Sequence, residues 1–295
     1  MASFFSRTHE FFANGLDKEL MELAGTLLCQ GIQLPSYFFQ ENRVSLSISR
    51  IGKGQPQFAT IGVLSSPDLW EIEILLSQKM PNASSLRELA GLLGELLQKN
   101  AGPCRQLMTL LPHSAFLSGP IVEAGFRDIC QFVDYHWAGK TDFPLLPLTE
   151  EIEFLPLAEF STHSLEKLFC STCVNTLDCP EGSSYRKNAD IFSSLISAQH
   201  LSADFSFCLL KRGELVGLLI GIYAFGCPEI QYLGVVPGAR GKKLGRLLAE
   251  EFLRRIQSQD LHQAQVLVDE RNWAAKNIYE LFGFLPEKKW QLFLA

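Results

Sequence analysis

The sequence predicts an α/β protein organised as two domains. Three observations predict it. Strand-like and helix-like periods alternate through the second half. A stretch containing Gly139, Pro144 and Pro147 interrupts both periods near the middle. The end of the first half looks like the end of the second. The chain has 295 residues, about the length of two ordinary domains. With 47% hydrophobic and 20% charged residues it can fill real cores, which excludes a mostly disordered chain.

The interrupting stretch, from Ala138 to Glu151, reads AGKTDFPLLPLTEE. Prolines cannot donate to a ladder and push their neighbours toward extended structure. It is predicted as a linker over 139–150, between domains at 1–138 and 151–295. After it, Ile152–Leu157 is predicted as a strand, and Thr162–Val174 and Tyr185–Ala198 as helices. Three successive strands follow at Ser206–Lys211, Glu214–Ala224 and Glu229–Val236, with Arg212-Gly213 as a hairpin turn. Arg240–Gln257 is predicted as an amphipathic helix, because Leu244, Leu248, Phe252 and Ile256 recur at i+4. Gln265–Asp269 is a buried strand, Asn272–Phe282 a helix stopped by Gly283, and Trp290–Leu294 a closing strand.

The first half carries a fainter copy of this ending. Leu86–Leu97 is amphipathic, with Ser84 or Ser85 as its N-cap. Gln106–Leu111 is a short apolar run, Ala115–Glu123 a helix and Cys130–Trp137 a strand. Gly125-Phe126 and Gly283-Phe284 stand 158 residues apart, which points to internal duplication.

The formal net charge is −6, with 26 Lys+Arg against 32 Asp+Glu. That argues against nucleic-acid binding as the main task, which needs a concentrated positive face. The sequence opens without a basic segment followed by an apolar one, so a secreted protein is not predicted. The longest apolar run, Leu215 to Phe225, falls short of the ~20 residues of a membrane span. A cytoplasmic protein with reduced thiols is predicted. Cys170, Cys173 and Cys179 lack a second pair and a histidine set, so no metal site is predicted; they read as small buried hydrophobes.

The stretch that carries chemistry runs from Leu233 to Leu248, LGVVPGARGKKLGRLL. A buried strand ends at Val236, and a Pro-Gly turn leads into a basic helix start. Unpaired N–H groups in a first helical turn, with the positive end of the helix dipole, form an anion site. Arg240, Lys242, Lys243 and Arg246 add positive charge, and Gly241 and Gly245 allow close approach to the backbone. The spacing matches neither a P-loop nor a dinucleotide fingerprint. Downstream, VDERNWAAKNIYELFGF runs from Val268 to Phe284. At ~100° per residue, Asn272, Lys276 and Tyr279 share one stripe. Ala274, Ile278, Leu281 and Phe282 share another, apolar stripe, which places Tyr279 off the core.

Together these two stretches resemble the GCN5-related N-acetyltransferase (GNAT) family. Arg240, Leu244 and Gly245 fall in register with its acetyl-CoA loop, while Lys243 stands where the family usually has glycine. The second stretch is similar to the family's Asn-x-x-Ala-x-x-x-Tyr-x-x-x-Gly-Phe, with Asn272, Ala275, Tyr279, Gly283 and Phe284. The resemblance covers about 151–295. The whole layout looks more loosely like the family's tandem-domain members, of the mycothiol synthase type.

The resemblance implies two GNAT-like domains, each a mixed, mostly antiparallel sheet flanked by helices. It implies acetyl-CoA as co-substrate. The N–H groups of Arg240, Gly241, Lys242, Lys243, Leu244 and Gly245 would hold its pyrophosphate, with Arg246 and Lys276 nearby. The main chain of Val235 and Val236 would pair with the pantetheine arm, Gly234 would sit at a bulge, and Asn272 would hydrogen-bond the cofactor. Tyr279 would protonate the departing thiolate. Val235 N–H is the candidate oxyanion donor. The candidate base is Glu229, on a face shared with Gln231, Leu233 and Val235, or an ordered water. At the matching first-half positions Ser114 replaces Asn272 and Ile121 replaces Tyr279, so 1–138 reads as a copy without the cofactor loop. The predicted function is N-acetyl transfer from acetyl-CoA to a primary amine of a small molecule or peptide, by a monomer or homodimer. The alternative is a catalytically silent acyl-CoA sensor or scaffold.

Overall fold

The computed structural model describes residues 44–48, 58–66, 69–76, 83–99, 104–110, 114–139 and, apart from 199 and 225, 151–295. The expected linker lies outside them beyond Gly139. The described residues form two compact units. One is drawn from Gln131–Lys289. The other is drawn from the described residues up to Cys130, together with Trp290–Ala295.

In the first of these units the strands lie in the order β6 (Ile152–Pro156), β7 (Phe207–Lys211), β8 (Glu214–Ala224), β9 (Cys227–Val235), β10 (Ala264–Asp269) and β5 (Arg127–Trp137). Every neighbouring pair is antiparallel except β9–β10, which is parallel. β8 is a nearly continuous apolar run, as befits a strand covered on both faces. Its Leu218 and Ile220 pack with α3 (Thr162–Thr172) and α4 (Asn188–Ile196). Its Val216 and Leu219 pack with α5 (Leu244–Ser258) and α6 (Trp273–Leu281). Ser161 caps α3, its Oγ accepting the Ser164 N–H at 3.2 Å. In α5 the predicted stripe of Leu244, Leu248, Phe252 and Ile256 is buried throughout.

The second unit has the strand order β1 (Val44–Ile48), β2 (Phe58–Ser66), β3 (Leu69–Leu76), β4 (Cys104–Leu110) and the end of β11 (Leu285–Leu294). Only β3–β4 is parallel. The first three of these strands were not predicted. α1 (Ala83–Lys99) joins β3 to β4, and α2 (Ser114–Glu123) follows. Ser84 and Ser85 fall inside the first turn of α1 rather than at its cap. No described helix is long and apolar enough to cross a membrane.

The two halves of the chain repeat one element order, in the second half after β6, α3 and α4: three antiparallel strands, a helix, a strand parallel to the third, a helix and a last strand. The helix endings match in detail. Phe126 N–H bonds Ile121 O at 3.2 Å, and Phe284 N–H bonds Tyr279 O at 3.0 Å. Gly125 and Gly283 take the left-handed turn these endings require, with φ of 110° and 82°. The last strands are exchanged. Phe132–Trp137, which ends the first repeat, pairs with β10. Trp290–Leu294, which ends the second, pairs with β4. The compact units divide the chain at Cys130 and Lys289.

Candidate active site

The site begins where β9 and β10 part. They pair only at Glu229–Gln265 and Ile230–Val266. From Gln231 onward, β9 has no strand partner on that side among the described residues. Val236 N–H bonds Val216 O of β8 at 2.9 Å. Alternation along the strand then turns the N–H groups of Leu233 and Val235 toward the opening. Val236 N–H is thus committed to the sheet and not open to a ligand, whereas Leu233 is placed to offer its N–H. On the other side, Glu270 N–H bonds Gln131 O of β5, so Asp269 N–H faces the opening.

The expected bulge lies at a different residue. Ile220 stands opposite Tyr232 and Gly221 opposite Ile230, which leaves Gln231 as the extra residue. Gly234 has a packing reason instead. A Cβ there would lie 2.7 Å from Thr172 Oγ1 and from the Tyr232 hydroxyl, which bond each other at 2.7 Å. The bulge also splits the expected face. Ile230, Leu233 and Val235 pack in the α5–α6 core, while Glu229 and Gln231 bond each other away from it. Glu229 is 1% exposed, and Gln265 Nε2 donates to its other oxygen at 2.9 Å.

The basic loop forms an amide cradle. Gly241 and Lys243 adopt φ of 75° and 62°, so the chain turns twice through the left-handed region before α5. Alternation of hand turns successive N–H groups to one side, a concave anion site. α5 has no side-chain cap, which leaves the N–H groups of Leu244 and Gly245 open. Lys243, in place of the family's glycine, bears the strain of that conformation, roughly 1–2 kcal/mol for a residue with a Cβ. Lys243→Gly should therefore be more stable than Lys243→Ala by about 1 kcal/mol. Both variants lose the charge, so equal urea midpoints would count against the strain.

The side chains of the loop do other work than expected. Arg240 donates to Val235 O at 3.0 Å, to Asn175 O at 3.0 Å and to Thr172 O at 2.8 Å. Its guanidinium ties the end of α3 to the end of β9 and satisfies terminal helix carbonyls. Lys242 Nζ turns back to Gly238 O at 2.9 Å, and Arg246 lies over the Phe282 ring at 5.9 Å.

On α6, Asn272 is the N-cap. Its Oδ1 accepts the Ala275 N–H at 3.1 Å. Lys276 Nζ bonds Glu270 O at 3.3 Å. Tyr279 is not off the core: it is 4% exposed and packs on Phe284, ring centroids 5.5 Å apart, while Leu281 of the expected apolar stripe is exposed. The Tyr279 hydroxyl makes no hydrogen bond among the described residues. Burial, then the charge of Asp178, raise its pKa.

The loop from Cys173 to Ser184 bridges the ends of β9 and β10. Arg240 holds its start. At its far side Asp269, fully buried, accepts the Cys179 N–H at 3.0 Å. Arg271 bonds Asp269 Oδ2 at 2.7 Å and grips both Glu181 oxygens at 2.7 and 2.8 Å. Asp178 Oδ1 accepts the Asp269 N–H at 3.2 Å.

Residues 172–284 match the family described as "Acetyltransferase (GNAT) family". This part of the chain is thus similar to the GNAT family. A mycothiol acetyltransferase from Streptomyces avermitilis is 42% identical over 81 residues, which is 26% of each chain. One from Beutenbergia cavernae is 38% identical over 58 residues, 20% of each. These matches thus span about a quarter or less of the relatives' length. A GCN5-related N-acetyltransferase from Sphaerobacter thermophilus superposes with a TM-score of 0.61 at 14% identity, covering 82% of this chain and 77% of that one. A tandem GNAT protein from the clavulanic acid biosynthesis pathway gives 0.56 at 15% identity, covering 86% and 84%. At these identities the structures establish the GNAT fold alone.

Proposed function

We propose that the chain transfers acetyl from acetyl-CoA to a primary amine by direct attack, at the opening between β9 and β10. One observation carries this reading: two strands that part beside an uncapped helix start, with strand N–H groups aimed into the gap. The gap suits an extended arm and the cradle suits a pyrophosphate, so the residues present fit acetyl-CoA. Leu233 and Val235 would pair with the arm, and one of their N–H groups would meet the oxyanion. The N–H groups from Gly241 to Gly245 would hold the phosphates. Arg240 serves by fixing the loop and the strand end rather than as a phosphate ligand. Tyr279 gives the leaving thiolate its proton. Acetyl-CoA supplies the activated acyl group.

The name carried by the relatives, mycothiol acetyltransferase, adds small amine-bearing thiols to the acceptors worth testing. The decisive experiment assays thiol release over a panel of peptide N-termini, polyamines, aminoglycosides and amine-bearing thiols. Turnover with at least one amine is expected, with one acetyl-CoA bound per chain by titration calorimetry. Binding without turnover on the whole panel would return the silent acyl-CoA binder instead. Two equivalent sites would overturn the assignment of the cofactor to the second half alone.

A further inference from the structure

We propose that Asp178 is the carboxylate that takes the proton from the acceptor amine, paired across the opening with Tyr279. The inference rests on the acetyl-transfer reading above. Asp269 N–H points to the side of β10 that β9 has left, and Asp178 Oδ1 accepts it at 3.2 Å. A carboxylate from the loop thus stands within the gap itself. It is held there from several sides. Its own N–H bonds Thr176 Oγ1 at 3.0 Å, and the next residue, Cys179, is anchored to Asp269. The residue nevertheless keeps an exposed surface, so water and substrate can reach it.

The second observation comes from Tyr279, a 4%-exposed side chain whose hydroxyl has no hydrogen bond among the described residues. The carboxylate whose charge raises the Tyr279 pKa is Asp178, not Glu229. Crowding by protein raises the pKa of Asp178 itself. Among the described residues, the titratable groups around it are Asp269 on β10, Arg271 beyond it, Tyr279 on α6, Tyr232 on β9 and Cys173 after α3. Glu229 is a poorer recipient. It lies at the closed end, where the strands still pair, nearly without exposure and beneath two side-chain amides.

The protons balance. The ammonium gives one proton to Asp178. The free amine attacks the thioester carbon, the carbon–sulfur bond breaks, and Tyr279 gives its proton to sulfur. The new amide nitrogen sheds its extra proton to the phenolate, and Asp178 releases its own to water.

The test uses the full-length chain and an amine active in the panel. Asp178→Asn keeps an oxygen for the Asp269 N–H, so the loop stays anchored. It should lower kcat/KM for the amine on the order of 10²–10⁴-fold and leave the CoA dissociation constant within about two-fold. Its pH–rate profile should lose the acidic limb set by the carboxylate and follow instead the deprotonation of the amine itself. Raising the pH should recover rate, because solvent then supplies free amine. Glu229→Gln should keep the acidic limb. If Asp178→Asn keeps the parent's rate and limb, or Glu229→Gln loses the limb instead, the assignment of Asp178 is overturned while acetyl transfer stands. If the parent turns over no amine, both fail.

Discussion

Tyr279→Phe should lower kcat by roughly 10²–10⁴-fold and leave CoA affinity nearly intact. The ring sits in the α5–α6 core against Phe284, and Phe preserves that packing. The lost hydroxyl bonds no described residue, so the native state surrenders little, and thermal stability should change by no more than about 1 kcal/mol. Its chemistry is a different matter. Burial and the Asp178 charge raise the phenol's pKa above the ordinary value of about 10. The group therefore holds its proton through the alkaline range in which most enzymes can be assayed, as a proton donor must. The sign follows: Tyr279 should cause no fall in rate below about pH 10, because its proton is lost only above its raised pKa. Single-turnover thiol release in the parent and in Tyr279→Phe separates chemistry from product release. An unchanged chemical step would remove Tyr279 from the mechanism and leave its packing role alone.

What the sequence made legible was local. The apolar spacing from Leu244 to Ile256 and the run from Glu214 to Ala224 reflect single elements with one environment each, and both fold as their periods require. The stop at Gly283 was legible because only a residue without a Cβ takes that turn freely. The loop and its open N–H groups follow from a strand, a Pro-Gly turn and a helix start, all within one short stretch.

What stayed hidden depends on residues far apart in the chain. Asp178 meets Asp269 across 91 positions, Arg240 meets Thr172 across 68, and Thr172 meets Tyr232 across 60. No period records such meetings. The exchange of last strands was hidden for the same reason: Trp290–Leu294 looks alike as a sequence whichever strand it joins. Tyr279 misled because helical stripes show which residues share a face, not how much of the helix the fold covers. Its stripe partner Lys276 stays half-buried, while Tyr279 itself is enclosed. Arg240 misled because its charge near an anion cradle suggests an anion. Yet the carbonyls at the end of α3 compete for the same guanidinium, and they hold it.

Gly245→Asp should weaken CoA binding by roughly 10²-fold, the cost of setting a carboxylate against phosphates in a charge-assisted site. Gly245 is the second residue of α5 and lies in the cradle. Two effects of a side chain there must be separated. A Cβ would come 3.2 Å from Ile278 Cδ1 and 3.8 Å from Leu233 Cδ2. The closer atom is the end of a flexible side chain, so Gly245→Ala can be absorbed, and alanine's better helix propensity offsets part of the strain. Gly245→Ala should therefore bind CoA nearly as the parent does. Aspartate adds charge to the same Cβ. In the free protein that charge is favourable, because an anion near a helix N-terminus gains about 0.3–1 kcal/mol. Gly245→Asp should accordingly be at least as stable as Gly245→Ala in urea, yet bind CoA far more weakly. The loss should shrink as salt rises and screens the repulsion. Calorimetric titrations of both variants at low and high salt read this directly. Equal weakening in the two would make packing, not charge, the cause. Unchanged binding in Gly245→Asp would move the phosphates away from α5 altogether.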